Sequence, residues 1–276
     1  MSQLVSSVQS PASAVAFGAE HPAMVPGDPS APIAIALQQV SFAYGDQPGV
    51  LQDVSLTIHE RERVGLIGHN GCGKTTLFML LCGLLTPHGG AIQLLGNPVQ
   101  PGQFYPEVGL LFQDPEDQLF SPSVWDDVAF GPQNLGLTAP EVEARVKAAL
   151  DLTGITALAE RAPHHLSGGE KQMVAIAGLL AMCPRILLCD EPTASLDLRT
   201  RRRLIRFLQN SDETLVIASH DLEFLLEVCD RVVLIDEGRV IADGHGPDIM
   251  GNQDLMEAHG LEKPHSLIPH AEPHHD

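Results

Sequence analysis

The tightest constraint on this chain is the segment GHNGCGKT at residues 68–75. An apolar run at residues 64–67 precedes it and an apolar stretch at 77–85 follows, so it lies between a buried strand and a helix. The segment fits G-x-x-x-x-G-K-[ST], in which glycines let the backbone curl until several N–H groups converge on phosphate oxygens. The helix that begins near Lys74 adds its positive N-terminal end to the same site. Lys74 would neutralise the β- and γ-phosphates of a nucleotide, and the Thr75 hydroxyl would ligate Mg²⁺.

The rest of the 276 residues agrees with an α/β domain. Runs at 63–67, 108–112, 186–189, 214–218 and 232–235 read as buried strands, and 74–85, 139–152, 168–182, 199–208 and 222–229 read as helices. Such alternation implies a mainly parallel sheet covered by helices. Residues 1–32 are rich in Ser, Ala and Pro and read as a flexible leader, with the folded body over 33–250. Residues 251–276 read as a histidine-containing tail, without a clear period from Met256 onward. Sixteen basic residues against 35 acidic ones give a formal charge of −19, which argues against nucleic acid as a partner. Five scattered cysteines read as reduced thiols of a cytoplasmic protein, and no apolar run approaches the ~20 residues needed to span a bilayer.

Two further segments carry chemistry. In ILLCDE at residues 186–191, Asp190 and Glu191 end an apolar strand, the end at which open α/β sheets bind ligands. Asp190 is placed to hold Mg²⁺, and Glu191 to deprotonate a water opposite the leaving group. In LSGGE at residues 166–170, Ser167 is a natural N-cap, and the glycines behind it make a second anion site at a helix start. Two such helix starts in one chain suggest a site shared between two subunits.

With FAYG around Tyr44, GHNGCGKT, Gln113, LSGGE, ILLCDEP, SLD at 195–197 and His220 in this order, the chain resembles an ATP-binding cassette (ABC) ATPase over about residues 33–245. The resemblance implies a P-loop ABC cassette with a RecA-like core, a helical subdomain and an antiparallel β subdomain. It implies MgATP sandwiched in a dimer. Tyr44 would stack on adenine, and Gly68, His69, Asn70, Gly71, Cys72, Gly73, Lys74, Thr75 and Thr76 would cradle the phosphates. Ser167, Gly168, Gly169 and Glu170 of one subunit would face the γ-phosphate held by the other, with Asp197 near the seam. Mg²⁺ would be held by Thr75, Gln113 and Asp190, and catalysis would fall to Glu191, His220 and Gln113. Glu170 stands where many members have Gln, and Met173 where a basic residue is common, the latter expected to weaken a surface contact.

The stretch DPEDQLF followed by DVAFGPQNLGL, within residues 114–137, is similar to energy-coupling-factor importers, particularly the cobalt/nickel type. That implies a peripheral ATPase on the cytoplasmic face of the membrane, with a transmembrane coupling subunit, a substrate-binding membrane component and a second ABC subunit as partners. Leu119, Phe120, Val124 and Trp125 would help form a groove for a helix of the coupling subunit. The alternatives are an ATPase for another nutrient such as a vitamin, or a soluble non-transport ABC ATPase. Arg199, Arg201, Arg202, Arg203 and Arg206 read as a solvated helix face. His259, His265, His270, His274 and His275 suit Ni²⁺, Co²⁺ or Zn²⁺, although their spacing fixes no geometry.

Overall fold

A computed structural model of the chain describes residues 30–45, 49–194 and 196–268. The expected leader lies almost wholly outside the described residues, as do Ser195, His270, His274 and His275. The strands in chain order are β1 (Ile33–Phe42), β2 (Leu51–His59), β3 (Arg63–Ile67), β4 (Gly89–Leu94), β5 (Asn97–Pro98), β6 (Val108–Leu111), β7 (Ile186–Asp190), β8 (Thr214–Ala218), β9 (Arg231–Asp236) and β10 (Arg239–His245). They form two sheets. One is antiparallel, ordered β2-β1-β4-β5; the other, ordered β10-β9-β3-β8-β7-β6, is parallel except for β10 at its edge.

Apart from their end residues, the parallel strands are apolar, because both of their faces are covered. Alternate residues divide between two cores. Val64, Leu66, Ile186, Leu188, Val216 and Ala218 join the antiparallel sheet and α1 (Lys74–Leu81) in one. Ile67, Leu187, Cys189, Leu215 and Ile217 face the other, with helices α2 (Val124–Asn134), α3 (Ala139–Thr153), α4 (Gly168–Ala181), α5 (Leu198–Gln209) and α6 (Leu222–Val228). Helices α2, α3 and α4 pack on one another as a layer of their own. Among the described residues no helix is long and apolar enough to cross a membrane.

The expected elements occur with shifted ends. Helix α1 stops at Leu81 rather than near residue 85, because Gly83 takes a left-handed φ of +69° and turns the chain. Strand β6 stops at Leu111, because the Phe112 N–H donates to Gln118 Oε1 (3.0 Å) instead of extending the ladder. The C-terminal expectation needs correction. Helices α7 (Gly246–Gly251) and α8 (Gln253–Ala258) continue past residue 250, and Met256 is fully buried in the second core. These helices are too short for a 3.6-residue period to show in the sequence.

Phe78 is fully buried in the core that joins the two sheets. Phe78→Ala should lower unfolding stability by about 3–5 kcal/mol, seen as a fall in the urea midpoint with the slope unchanged.

Candidate active site

The loop between β3 and α1 is squeezed from two sides. A Cβ on Gly68 (φ +150°) would lie 2.1 Å from the Ile235 carbonyl oxygen, and one on Gly73 (φ +110°) would lie 2.7 Å from Leu51 Cδ2. Only glycine fits either position, because both the backbone angle and the space exclude a side chain. Inside the curl, Lys74 Nζ donates to the carbonyls of Gly68 (2.8 Å) and His69 (3.1 Å) and lies 3.6 Å from Cys72 Sγ. The lysine is buried, so these acceptors compensate a charge that water no longer solvates. Burial raises the Cys72 thiol pKa above its usual value, and Lys74 opposes the shift.

Thr75 and Asp190 meet across the sheet. Thr75 Oγ1 donates to Asp190 Oδ2 at 2.5 Å. Burial lifts the Asp190 carboxyl above the usual carboxylate range; the Thr75 hydrogen bond opposes this, the Glu191 charge adds to it and Lys74 opposes it. Glu191 has a left-handed φ of +47°, and its N–H donates to the Ala218 carbonyl (2.8 Å). The carboxylate thereby points back over the end of β8. It accepts from Ser219 Oγ (3.0 Å) and the His220 N–H (3.0 Å), and His220 Nδ1 lies 2.8 Å away. Lys74, Thr75, Asp190, Glu191 and His220 therefore gather at the carboxyl ends of neighbouring strands. Ser219 is not among the residues that the sequence singles out, although it directly precedes His220.

Tyr44 is 40% exposed, and its hydroxyl lies 3.3 Å from Thr76 Oγ1, beside the loop. Its ring stands edge-on to Phe42, with centroids 4.8 Å apart, which leaves a face open for stacking. Gln113 is exposed just past β6, the strand beside β7. A second glutamine, Gln118, holds that turn: besides accepting from Phe112, it donates to the Leu110 carbonyl (3.0 Å).

The LSGGE segment stands apart. Among the described residues no hydrogen bond or ion pair joins Ser167, Gly168, Gly169 or Glu170 to the Lys74–Asp190–Glu191 group. Ser167 and Glu170 instead form a reciprocal cap on α4: Glu170 Oε2 accepts from the Ser167 N–H and hydroxyl, both at 2.8 Å. These bonds hold the Glu170 carboxyl below its usual range. Lys171 pairs with Glu116, tying α4 to the turn after Gln113. Asp197 caps α5, accepting from the N–H groups of Arg199 (2.8 Å) and Thr200 (3.0 Å).

Three expectations need correction. Met173 is buried, so it makes no surface contact that its neutrality could weaken. Val124 is fully buried and lines no groove. The arginine cluster is only partly a solvated face. Arg201 binds Asp221 (3.1 Å) and Glu227 (3.4 Å) and lies over Phe224, because α5 and α6 pack side by side.

Comparison with known proteins decides the family. Residues 51–194 match the family model described as ABC transporter. The chain belongs to that family. A Synechocystis sp. protein named as an ABC transporter ATP-binding protein is 63% identical, over 86% of this chain and 83% of its own length. The energy-coupling factor transporter ATP-binding protein EcfA of Methanothermobacter thermautotrophicus is 42% identical, over 83% of this chain and 76% of its own. Among solved structures, CbiO1 of Clostridium perfringens, part of the ABC transporter complex CbiONQ, superposes with a TM-score of 0.74 at 34% identity. It covers 82% of this chain and 94% of its own. The fold is thus the ABC ATPase cassette, and the chain is an ATP-hydrolysing subunit of a transporter.

Gly68→Ala would force the Ile235 carbonyl and the loop apart. Nucleotide binding should be lost, as read by calorimetric titration of the variant with ATP.

Proposed function

We propose that this cassette is the ATPase of an energy-coupling-factor importer, working as a dimer to drive uptake of cobalt or nickel. The gathering of Lys74, Thr75, Asp190, Glu191 and His220 at the carboxyl ends of neighbouring strands carries the hydrolytic part of this reading. The likeness to EcfA and to a member of CbiONQ supports the importer, and the resemblance of DPEDQLF after Gln113 to cobalt/nickel-type importers supports the cargo class.

The donor set fits Mg²⁺. Thr75 Oγ1 and Asp190 Oδ2 are hard oxygens side by side, and a buried carboxylate beside a second acid favours a cation there. With Gln113, they would hold an ion whose bound chemistry is to neutralise charge on the β- and γ-phosphate oxygens. The chain's own residues do the rest. The loop N–H groups and Lys74 orient the triphosphate, and Tyr44 stacks on the base. Glu191 takes a proton from a water as its oxygen attacks the γ-phosphorus; the bond to the β-phosphate oxygen breaks, and ADP leaves with the electron pair. In the arrangement observed, the Glu191 oxygens accept from Ser219 and His220. Turning the exposed His220 ring toward the γ-phosphate frees a lone pair for that proton, which couples nucleotide arrival to base activation.

Ser167, Gly168, Gly169 and Glu170 have no such role within one chain and would act across the dimer, on the partner's nucleotide. The transmembrane coupling subunit would dock on the helical layer at Phe120 and Phe130. These rings are 66% and 47% exposed and stand edge-to-face with centroids 4.8 Å apart, a sizeable apolar feature on an acidic surface. Leu119 and Trp125, partly buried nearby in sequence, pack against the core. This docking would hold the cassette peripherally at the cytoplasmic face, with a substrate-binding membrane component choosing the cargo.

Glu191→Gln should keep ATP affinity while turnover falls about 10²-fold or more, and ATP should trap a dimer on size exclusion. Near-normal turnover would remove Glu191 as the base. Ser167→Ala should lower turnover about tenfold while the monomer's ATP affinity stays within about twofold. Loss of ATP binding in the monomeric variant would refute the shared site. Co-purification from detergent-solubilised membranes, and cobalt and nickel uptake in cells carrying Glu191→Gln, test partners and cargo; uptake equal to wild type for both ions would exclude that cargo.

A further inference from the structure

The C-terminal segment reaches the phosphate loop through one carboxylate. Asp236, the last residue of β9, has His69 Nε2 2.9 Å from Oδ1 and His259 Nδ1 2.6 Å from Oδ2. Oδ1 also accepts the Glu237 N–H at 2.9 Å. The side chains of Asp236 and His259 are only 15% and 20% exposed, so solvent screens this contact weakly. The His259 bond, then the Glu237 N–H and the nearby His69, hold the Asp236 carboxyl below its usual range. His69 belongs to the loop itself. Its Nδ1 lies 2.7 Å from the Asn70 carbonyl oxygen, and its own carbonyl accepts from Lys74 Nζ. At the other end, His259 caps α8, which the fully buried Met256 fixes to the body. A continuous chain of polar contacts thus runs from α8 through Asp236 and His69 to Lys74.

We propose that Asp236 and His259 are positioning residues for the phosphate loop, so that docking of the C-terminal segment sets how tightly the loop holds the nucleotide's phosphates. The proposal rests on the phosphate-binding reading given above. Neither residue belongs to the phosphate loop; each acts by fixing the side chain, and with it the carbonyl, of His69. Removing the link loosens a binding element without altering Glu191 or His220. It therefore weakens ATP binding while leaving the chemical step alone.

The experiment is steady-state ATP hydrolysis by the full-length chain, with thermal unfolding recorded for each variant. His259→Ala and Asp236→Ala should raise KM for ATP roughly three- to tenfold with kcat within about twofold. His259→Asn, which keeps an N–H donor near the position of Nδ1, should restore KM to within about twofold of wild type. Because all three residues act in one chain of contacts, adding His259→Ala to His69→Ala should raise KM no further. Gln253→Ala changes only the exposed surface of α8 and should leave KM unchanged. An unchanged KM in His259→Ala would overturn the proposal. So would multiplying effects in the double variant, an asparagine that behaves as alanine, or an equal KM rise in Gln253→Ala. If the wild-type chain failed to bind ATP, the functional reading itself would fall; wild-type kinetics in His259→Ala would sink only the positioning role.

Discussion

Everything at the active end of this molecule depends on holding the Lys74 ammonium where little water reaches it. A buried cation without partners costs several kcal/mol, so the loop must supply oxygens. Gly68 and His69 do so with their carbonyls. Each trans peptide that aims its oxygen at the ammonium aims the following N–H away from it. One requirement therefore shapes the whole curl. The glycines at 68 and 73 are the positions where that curl presses hardest on β9 and β2.

The same economy of position governs the carboxylates. Asp190 and Glu191 are sequence neighbours, yet the left-handed turn at Glu191 sends them different ways, one to Thr75 and the other to Ser219 and His220. A non-glycine residue in that region is held only when its surroundings over-determine it. Here the Glu191 N–H is bonded to Ala218 and the carboxylate accepts from the Ser219 hydroxyl and the His220 N–H, with His220 Nδ1 beside it, which is such over-determination.

Much of this was legible in the sequence. The strands β3, β7 and β8 show as apolar runs because they are covered on both faces, and the GHNGCGKT and LSGGE segments carry their backbone demands in their glycines. Where legibility failed, the physics was non-local. Met173 was misplaced because α4 is buried on most of its sides and loses the contrast between faces. Val124 lies on the single buried face of α2, which a short segment with apolar residues on both faces does not announce. The Asp236 link joins residues 69, 236 and 259, and no local pattern announces a contact of that span. Gln118 was overlooked beside Gln113 because a glutamine that caps a strand and one that is exposed look alike in sequence.

Strand β3, which launches the phosphate loop, is central in its sheet. Its neighbours are β8 and β9, with Gly65 opposite Ile217 on one side and Val232 on the other. These partners lie 152 and 167 residues downstream in the chain. During synthesis the loop sequence emerges early, but the strand beneath it has nothing to pair with until most of the chain has followed. Contacts of such long sequence separation are slow to form, since a large loop must close before they stabilise anything. The nucleotide site is therefore among the last parts of this molecule to become solid, and a nascent chain carries its glycine-rich loop exposed for most of its translation.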